Sequence, residues 1–244
     1  MPIEILLGDE AVALGAVQAG LSGAYSYPGT PASEIMEYLI RVSDGGRAFH
    51  AAWSVNEKTA FEEALGCSFA GRRAFVSFKH VGLNVAADPF MSAALTGVQG
   101  GFVVCSADDP SMHSSQNEQD SRFYAQFAQI PCFEPADHQE AYDMTREAYD
   151  LSERLGLPVM VRMTTRLSHS RAGVETRPVR PQNPLRRGAK ECWTLLPANA
   201  RERFKRVLEL QAELVRDADA SPFNRLALNA GDRRLGIIAS GLGY

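Results

Sequence analysis

The sequence predicts a three-layer α/β/α fold in which helices cover both faces of a mostly parallel sheet. Segments with helical periodicity alternate with short apolar runs from residue 9 to residue 160, and Gly, Pro and Asp bound these runs. Four of the runs are nearly continuous apolar or β-branched residues, as in strands that are buried on both faces. Because parallel crossover connections are right-handed, we expect a doubly wound sheet.

The predicted elements alternate regularly along the chain. Strands are predicted at 23–27, 48–53, 73–78, 101–106 and 158–163. Helices are predicted at 10–20, 32–43, 55–70, 83–96, 119–129 and 137–155. Every predicted strand after the first therefore follows a predicted helix, which is the pattern of parallel βαβ units.

The composition changes near residue 165. Six basic residues, one acidic residue and three prolines occur between residues 168 and 190, which indicates an exposed linker. An amphipathic helix is predicted at 198–219, with six apolar residues spaced for one face: Phe204, Val207, Leu208, Leu210, Leu214 and Val215. The final segment RRLGIIASGLGY begins like a strand that enters a Gly-x-Gly turn, so it is interpreted as the opening of another domain.

Size, composition and charge exclude several classes of protein. The 244 residues can bury a sizeable core, and 45% hydrophobic with 22% charged residues excludes disordered, collagen-like and coiled-coil chains. A net charge of −4 does not favour nucleic acid or anionic lipid as a partner. The N-terminal segment has no basic region ahead of an apolar stretch, and no window reaches 18 uncharged apolar residues, so we expect a cytoplasmic protein without a membrane partner.

The four cysteines are scattered along the chain without a C-x-x-C pair. They are Cys67, Cys105, Cys132 and Cys192. This spacing argues against a zinc ribbon, an iron–sulfur cluster or a thioredoxin-like site. Because Cys67 and Cys105 lie in apolar helix and strand patterns, we expect buried free thiols.

Candidate site residues lie where predicted strands end, since ligands of open α/β sheets bind at the carboxyl ends of strands. Thr30 and Pro31 suit the N-cap and first helical position of a helix, and a functional role for Thr30 stays open beside this one. Glu57 follows Ser54 by three residues, which is the spacing of a capping box. The functional alternative is that Glu57 shares a proton with a ligand nitrogen.

Two further junctions carry polar residues. His80 directly follows an apolar strand, with Gly82 opening the next helix, and a histidine there acts as an acid, a base or merely a satisfied polar group. The loop at 106–122 is either a binding loop or a solvated one. Its polar residues are Asp108, Asp109, His113, Asn117, Glu118 and Arg122.

Several sharper motifs are absent from the sequence. GCSFAG at 66–71 is not G-x-S-x-G, and no P-loop, G-x-G-x-x-G after the first predicted strand, or H-E-x-x-H occurs. A hydrolase built around the His113 loop is therefore a weak alternative. The spacing of His113 with Asp108, Glu118 and Asp120 matches no closed metal site, so no metal site is expected.

Five stretches together resemble the N-terminal part of indolepyruvate:ferredoxin oxidoreductase alpha subunits, within the wider pyruvate:ferredoxin oxidoreductase family. They are GDEAVALGAVQAG, YPGTPASEI, WSVNEKTAFEEALGCSFAG, SFKHVGLNVAADPF and ADDPSMHSSQNEQDSRFYAQFA. The resemblance covers about residues 5 to 244, and KHVGLNVAADP and DDPSMHSSQNEQD are specific to the indolepyruvate branch. It implies the pyrimidine-binding (Pyr) domain of a thiamine diphosphate enzyme that oxidatively decarboxylates 2-oxo acids to acyl-CoA and passes electrons to ferredoxin.

The resemblance also assigns residues to the cofactor. Glu57 matches the family glutamate that bonds N1′ of the aminopyrimidine and so activates the cofactor for loss of the thiazolium C2 proton. Thr30 is implied to lie beside cofactor or substrate, and His80 and Gly82 to line the pocket near the thiazolium. The cofactor is the electron sink, and the protein tunes it.

The chain lacks other parts of the family's enzymes. The diphosphate-binding module, with its Gly-Asp-Gly and magnesium-holding Asn, and the clustered cysteines of the ferredoxin-like end are missing. We therefore expect a Pyr domain at 1–178, a linker with a helix at 179–231 and the start of a truncated domain at 232–244. The expected partners are a diphosphate-binding domain or subunit, ferredoxin through the full complex, and a second copy in a homodimer. The alternative is a non-catalytic binding or regulatory module that retains the fold.

Overall fold

The computed structural model describes residues 2–46, 48–188, 193–228, 231 and 234–244. The strands in these ranges are β1 (Ile3–Leu7), β2 (Gly23–Ser26), β3 (His50–Trp53), β4 (Ala74–Lys79), β5 (Phe102–Asp108), β6 (Cys132–Phe133), β7 (Val159–Thr164) and β8 (Arg171–Glu175). The helices are α1 (Gly8–Gln18), α2 (Ser33–Asp44), α3 (Glu57–Phe69), α4 (His80–Val85), α5 (Ala87–Thr96), α6 (Arg122–Ala128), α7 (His138–Leu155), α8 (Thr165–His169) and α9 (Pro197–Ala220). A 3₁₀ turn covers Gly241–Gly243.

Six parallel strands form the central sheet in the order β3-β2-β4-β5-β7-β6. This confirms the predicted parallel sheet and each of the five predicted strands to within a few residues. Ser26, which ends β2, pairs with Trp53 at the end of β3 on one side and with Ser77 of β4 on the other. The carboxyl ends of these three strands therefore lie side by side.

Helices pack on both faces of the sheet because the buried strands are apolar on both faces. Phe75, Val103 and Val161 contribute to the core beneath α1, α2 and α7. Their chain neighbours Val76 and Val104 contribute to the core beneath α3, α5 and α6, as the two-residue period of a strand requires. The result is the three-layer α/β/α arrangement that the sequence predicts.

The pair β1–β8 was not predicted. The two strands form a separate antiparallel ribbon in which Ile3 pairs with Glu175 and Leu7 with Arg171. Its outer face is exposed, whereas Leu6 and Val174 are buried on the inner face. Strand pairing uses backbone groups only, and one face of this ribbon contacts solvent. The ribbon therefore tolerates charged residues, which were the reason for predicting a linker at 171–175.

The rest of the predicted linker is mostly exposed but not detached from the body. The Arg180 amide donates to the Gln18 carbonyl at 3.0 Å, and the Arg186 amide donates to the Ala70 carbonyl at 2.8 Å. The Gln182 side chain donates to the Leu21 carbonyl at 2.8 Å. This segment is therefore bound to residues that precede β2 and β4, at the edge of the sheet where the strands begin.

Helix α9 confirms the helix predicted at 198–219, but not its single apolar face. Val207 is buried against Leu155 and Leu157, and Leu210 and Leu214 are partly buried beside it. The other three apolar residues are exposed: Phe204, Leu208 and Val215. At about 100° per residue they fall on the neighbouring stripe of the helix, beyond the part that contacts the body.

Other predicted elements differ in detail. The helix predicted at 83–96 is two helices, α4 and α5, that meet at Ala86. Within the described residues, 234–240 form no strand. Cys105 is buried, whereas Cys67 and Cys132 are only partly buried, and Cys192 and residues 232–233 lie outside the described ranges. None of the helices in the described part of the chain is both long and apolar enough to cross a bilayer.

Candidate functional site

Three of the sequence-predicted site residues follow neighbouring strands at one edge of the sheet. Thr30 comes after β2, Glu57 after β3 and His80 after β4. These strands are parallel and adjacent in the order β3-β2-β4, so their carboxyl ends open toward the same side. The topology brings the three junctions together, as the sequence predicts.

Glu57 is the first residue of α3, and the predicted capping box with Ser54 is wrong. The N-cap is Asn56, whose side-chain oxygen accepts a hydrogen bond from the Thr59 amide at 2.9 Å. The Ser54 hydroxyl instead donates to the Glu63 carboxylate. Asparagine is as good a cap as serine, so the helix start is satisfied without Glu57. Within the described ranges, the half-buried Glu57 carboxylate has no hydrogen-bond or ion-pair partner.

Gly82 lies directly against the Glu57 side chain. A Cβ added at Gly82 would come within 2.7 Å of Glu57 Cγ, 2.8 Å of Glu57 Oε1 and 2.9 Å of Phe78 Cβ. These distances are too short for any side chain larger than hydrogen. Gly82 lies in the first turn of α4, which begins at His80 rather than at Gly82. The close approach therefore joins two predicted site residues from different strand ends.

His80 is fully buried. Its Nε2 lies 3.0 Å from the Asn117 carbonyl oxygen. A carbonyl only accepts, so this geometry assigns the proton of the neutral ring to Nε2 and leaves a lone pair on Nδ1. Nδ1 is buried and has no hydrogen-bond partner among the described residues. His80 therefore carries an unused acceptor close to the site.

Thr30 is exposed, and it does not cap α2. The helix begins at Ser33 with Ala32 as N-cap, so the predicted positions of Thr30 and Pro31 at the helix start are wrong. The Ser33 hydroxyl accepts a hydrogen bond from the Gly29 amide at 2.9 Å, which closes the turn ahead of the helix. Thr30 is thus part of the turn between β2 and α2, at the sheet edge.

The polar loop after β5 is hydrogen-bonded to the junctions after β2 and β4. The Ser114 hydroxyl donates to the Thr30 carbonyl at 3.2 Å, and Lys79 Nζ donates to the Ser114 carbonyl at 3.1 Å. The contact between Asn117 and His80 adds a third connection. The sequence left open whether this loop binds or is merely solvated. It is exposed over most of its length, and it borders the site.

Two aspartates hold this loop in place. Asp108 is buried in an ion pair with Arg162 Nε at 2.6 Å and accepts a hydrogen bond from the Ser121 amide at 2.9 Å. Asp109 accepts from the Ser114 amide at 2.8 Å and from the hydroxyls of Ser115 and Thr165, each at 2.7 Å. Both carboxylates therefore support the loop from inside the fold.

Burial would raise the pKa of Asp109, but the hydrogen bonds that it accepts from Ser114, Ser115 and Thr165 outweigh burial and hold the pKa well below its usual range. His113 and Glu118 are exposed, and Arg122 pairs with Asp120 and Glu134 on the surface. Of the six loop residues named from the sequence, Asn117 is the one whose described contact reaches a predicted site residue, and Ser114 of the same loop reaches Thr30.

Sequence reasoning assigned no role to Lys79 or Ser114, and it gave Gly29 only that of allowing a tight turn. A Cβ at Gly29 would lie 3.0 Å from Lys79 Cδ, so the lysine stem packs along the turn that carries Thr30. The signal for Lys79 is its place at the end of a buried strand beside His80. The local sequence gives no signal for Ser114, because its partner Thr30 lies 84 residues away in the chain.

Large apolar side chains are exposed around the same edge. They lie at or after the ends of β2, β3 and β5 or on α4, and they are Tyr27, Trp53, Val55, Val85 and Met112. Isolated exposed apolar residues are ordinary, but a set that borders a polar site is typical of a surface that another protein segment covers.

Comparisons with known proteins agree with the fold and the motifs. Residues 14–202 match the family of thiamine diphosphate-binding domains of pyruvate flavodoxin/ferredoxin oxidoreductases. The chain belongs to this family. It is 46% identical to indolepyruvate oxidoreductase subunit IorA of Archaeoglobus fulgidus, over 98% of this chain and 39% of that protein. Identity to the same subunit of Methanothermobacter thermautotrophicus is 45%, over 97% of this chain and 38% of the relative.

More distant relatives share the fold. The 2-oxoglutarate synthase subunit KorA of Methanocaldococcus jannaschii is 25% identical over 71% of this chain and 49% of its own length. A solved 2-oxoglutarate:ferredoxin oxidoreductase from Magnetococcus marinus, with 2-oxoglutarate, coenzyme A and succinyl-CoA bound, superposes with a TM-score of 0.70 at 17% identity, over 88% of this chain and 45% of the other. The chain spans about two-fifths of the length of the IorA relatives.

Proposed function

We propose that this chain is the pyrimidine-binding module of a thiamine diphosphate-dependent 2-oxoacid:ferredoxin oxidoreductase of the indolepyruvate type. The complete enzyme would decarboxylate its 2-oxo acid oxidatively to an acyl-CoA and pass the electrons to ferredoxin. One observation carries the proposal: Glu57 is a half-buried carboxylate at the carboxyl edge of the sheet, and no helix cap or ion pair in the described residues accounts for it.

The residues at this edge fit an aminopyrimidine. A carboxyl group can share a proton with a ring nitrogen, and the Glu57 oxygens are free to do so. Gly82 leaves space for the Glu57 side chain, and a Cβ there would displace it. When bound, thiamine diphosphate supplies the electron sink for decarboxylation. The role of Glu57 is to hold a proton at N1′ of the pyrimidine ring.

The other predicted residues support this role from two sides. Thr30 is exposed on the turn that follows β2, where it is able to contact cofactor or substrate. His80 is oriented by the Asn117 carbonyl. With Gly82 it would line the pocket near the thiazolium, as the family resemblance implies. The loop after β5 orders both junctions through Ser114 and Asn117.

The site needs a partner to be complete. We assign the pyrimidine-binding domain to 1–178, a linker and helix to 179–231, and the beginning of a following domain to 232–244. A diphosphate-binding domain or subunit supplies magnesium and covers the exposed apolar residues around the site, and the iron–sulfur clusters belong to other parts of the enzyme. The apolar edge also supports a homodimer, which light scattering of the complete enzyme would detect.

The test replaces Glu57 by Gln in the complete enzyme. Glutamine keeps the size and shape of the side chain but cannot share the acidic proton. Deuterium exchange at the thiazolium C2 of the bound cofactor should slow by about 10²–10⁴, with a parallel loss of indolepyruvate-dependent electron transfer. Glu62→Gln is the matched control, because Glu62 lies exposed on the same helix. Normal exchange in Glu57→Gln would contradict the proposal.

The alternative is a non-catalytic binding or regulatory module with the same fold. The two functions differ in what the partner does. If the chain is the pyrimidine-binding module, it contacts only the aminopyrimidine part of the cofactor, and these contacts offset little of the entropy lost when the cofactor binds. Calorimetry of the 244-residue chain alone should therefore detect little binding of thiamine diphosphate. Addition of the diphosphate-binding partner should restore binding. Micromolar binding by the isolated chain would instead favour the binding module.

A further inference from the structure

Three potential metal ligands meet away from Glu57. Asp9 is in the first turn of α1, Glu34 is in the first turn of α2 and His169 is the last residue of α8. One ligand atom from each lies within 4.8 Å of those of the other two. His169 Nε2 is 3.5 Å from Glu34 Oε1. Three separate segments of the chain therefore converge on one point.

Three of the four carboxylate oxygens of Asp9 and Glu34 lack a hydrogen-bond partner among the described residues. Asp9 is fully buried, and neither of its oxygens has a hydrogen-bond partner among the described residues; the same is true of Glu34 Oε2. An unpaired carboxylate inside a protein is costly, so such a group takes up a proton or a cation. Burial raises the pKa of Asp9 well above its usual range; the adjacent Ser168 hydroxyl opposes this shift, and the negative charges of Glu34 and Glu10 reinforce it.

Apart from His169, which lies at ion-pair distance from Glu34, the described neighbours supply no positive charge to the cluster. Arg41 pairs with Glu10 at 3.0 Å, and Glu10 Oε2 accepts a hydrogen bond from the Leu7 amide. Ser168, beside His169, also has a buried hydroxyl without a partner in the described residues. The side chains of Glu34 and His169 are each about one-third exposed, so an ion can reach the cluster from solvent.

We propose that Asp9, Glu34 and His169 bind a divalent transition-metal ion, with Zn²⁺ as the best match. Two carboxylates and one imidazole form a mixed oxygen and nitrogen donor set, which suits zinc better than calcium or magnesium. Zinc bonds of about 2.0–2.1 Å in a tetrahedron place neighbouring ligand atoms about 3.4 Å apart, close to the 3.5 Å between His169 and Glu34. The fourth position is left for water.

The site would act as a structural clamp. Glu34 is four residues after Thr30, and His169 ends α8, which directly follows β7. A bound ion would tie the start of α2, and with it the turn that carries Thr30, to α8 and α1. This role concerns the stability and order of the fold, and it does not depend on whether Glu57 binds thiamine.

The experiment measures thermal unfolding of the 244-residue chain stripped of metal by EDTA and then titrated with Zn²⁺. At a Zn²⁺ concentration about 100 times Kd, Tm should rise by roughly 5–10 °C. His169→Gln and Asp9→Asn should each abolish the rise. His169→Gln changes a partly exposed side chain, so the variant is expected to fold even if Asp9→Asn does not.

Glu37→Gln is the matched control, because Glu37 is exposed on the same helix as Glu34. It should keep the full zinc-dependent rise. The proposal is overturned if Zn²⁺ leaves the Tm of the wild-type chain unchanged. It is equally overturned if His169→Gln retains the same rise as Glu37→Gln, since the ion would then bind at other residues.

Discussion

Replacement of Gly82 by Ala tests the contact on which the position of Glu57 depends. The new Cβ would lie 2.7 Å from Glu57 Cγ and 2.9 Å from Phe78 Cβ. The Phe78 Cβ belongs to a strand buried in the sheet and cannot move far, whereas the Glu57 side chain can rotate away. Glu57 should therefore be the group that yields.

The expected effects on stability and on activity differ greatly in size. An overpacked methyl group costs about 1–3 kcal/mol, and rotation of Glu57 does not relieve the contact with Phe78 Cβ. Alanine in place of glycine in a helix returns about 0.5–1 kcal/mol. The net loss is about 1–2 kcal/mol, or a fall in Tm of about 2–8 °C. Displacement of a catalytic group by about 1 Å costs about 10²-fold in rate, so kcat should fall at least that far.

The assay compares kcat of the complete enzyme with Tm of the chain for Gly82→Ala and for Gly66→Ala. Gly66 lies in α3, and a Cβ there would meet nothing within 4 Å. The control should therefore be about 0.5–1 kcal/mol more stable and fully active. If Gly82→Ala keeps normal kcat, the Glu57 carboxylate is not required at the position that Gly82 allows, and the reasoning about this contact is refuted.

Three further predictions concern the groups that support the site. Asn56→Ala should lower stability by about 1 kcal/mol in urea unfolding, because Asn56 is the cap of α3; an unchanged midpoint would contradict this. Arg162→Met leaves Asp108 buried without its ion-pair partner and should lower the free energy of unfolding in urea by about 3–5 kcal/mol. A loss below about 1 kcal/mol would contradict this. The folded state lowers the pKa of Asp109, so the ionised Asp109 stabilises the fold fully at pH values above the ordinary aspartate pKa of about 3.9. This stabilisation is lost as pH falls below that value. The difference in Tm between wild type and Asp109→Asn should thus shrink in acid, and a constant difference from pH 7 to pH 3 would count against it.

The sheet and most of its helices could be predicted from the sequence because their signals are local. Runs such as RAFVSF and GFVVCS are apolar on both faces, and this pattern alone indicates strands buried between helix layers. The ribbon β1–β8 has no such signal, since Ile3 pairs with Glu175, which is far away in the sequence, and one face of the ribbon is exposed to solvent. For the same reason the sequence showed six apolar residues on α9 but not which of them contact the body.

The candidate site, too, could be predicted from the sequence only in part. The sequence alone placed Thr30, Glu57 and His80 at strand ends, since a polar residue after a buried strand is visible without a structure. It could not choose between a cap and a ligand for Glu57, because Ser54 has the right spacing and Asn56 the right geometry. Only the tertiary structure excluded the cap, by setting the backbone of the turn before α3 so that Asn56 takes that position. It also decided the contact of Gly82 with Glu57 and the meeting of Asp9 with His169, because short distances between residues far apart in the chain depend on how strands and helices pack.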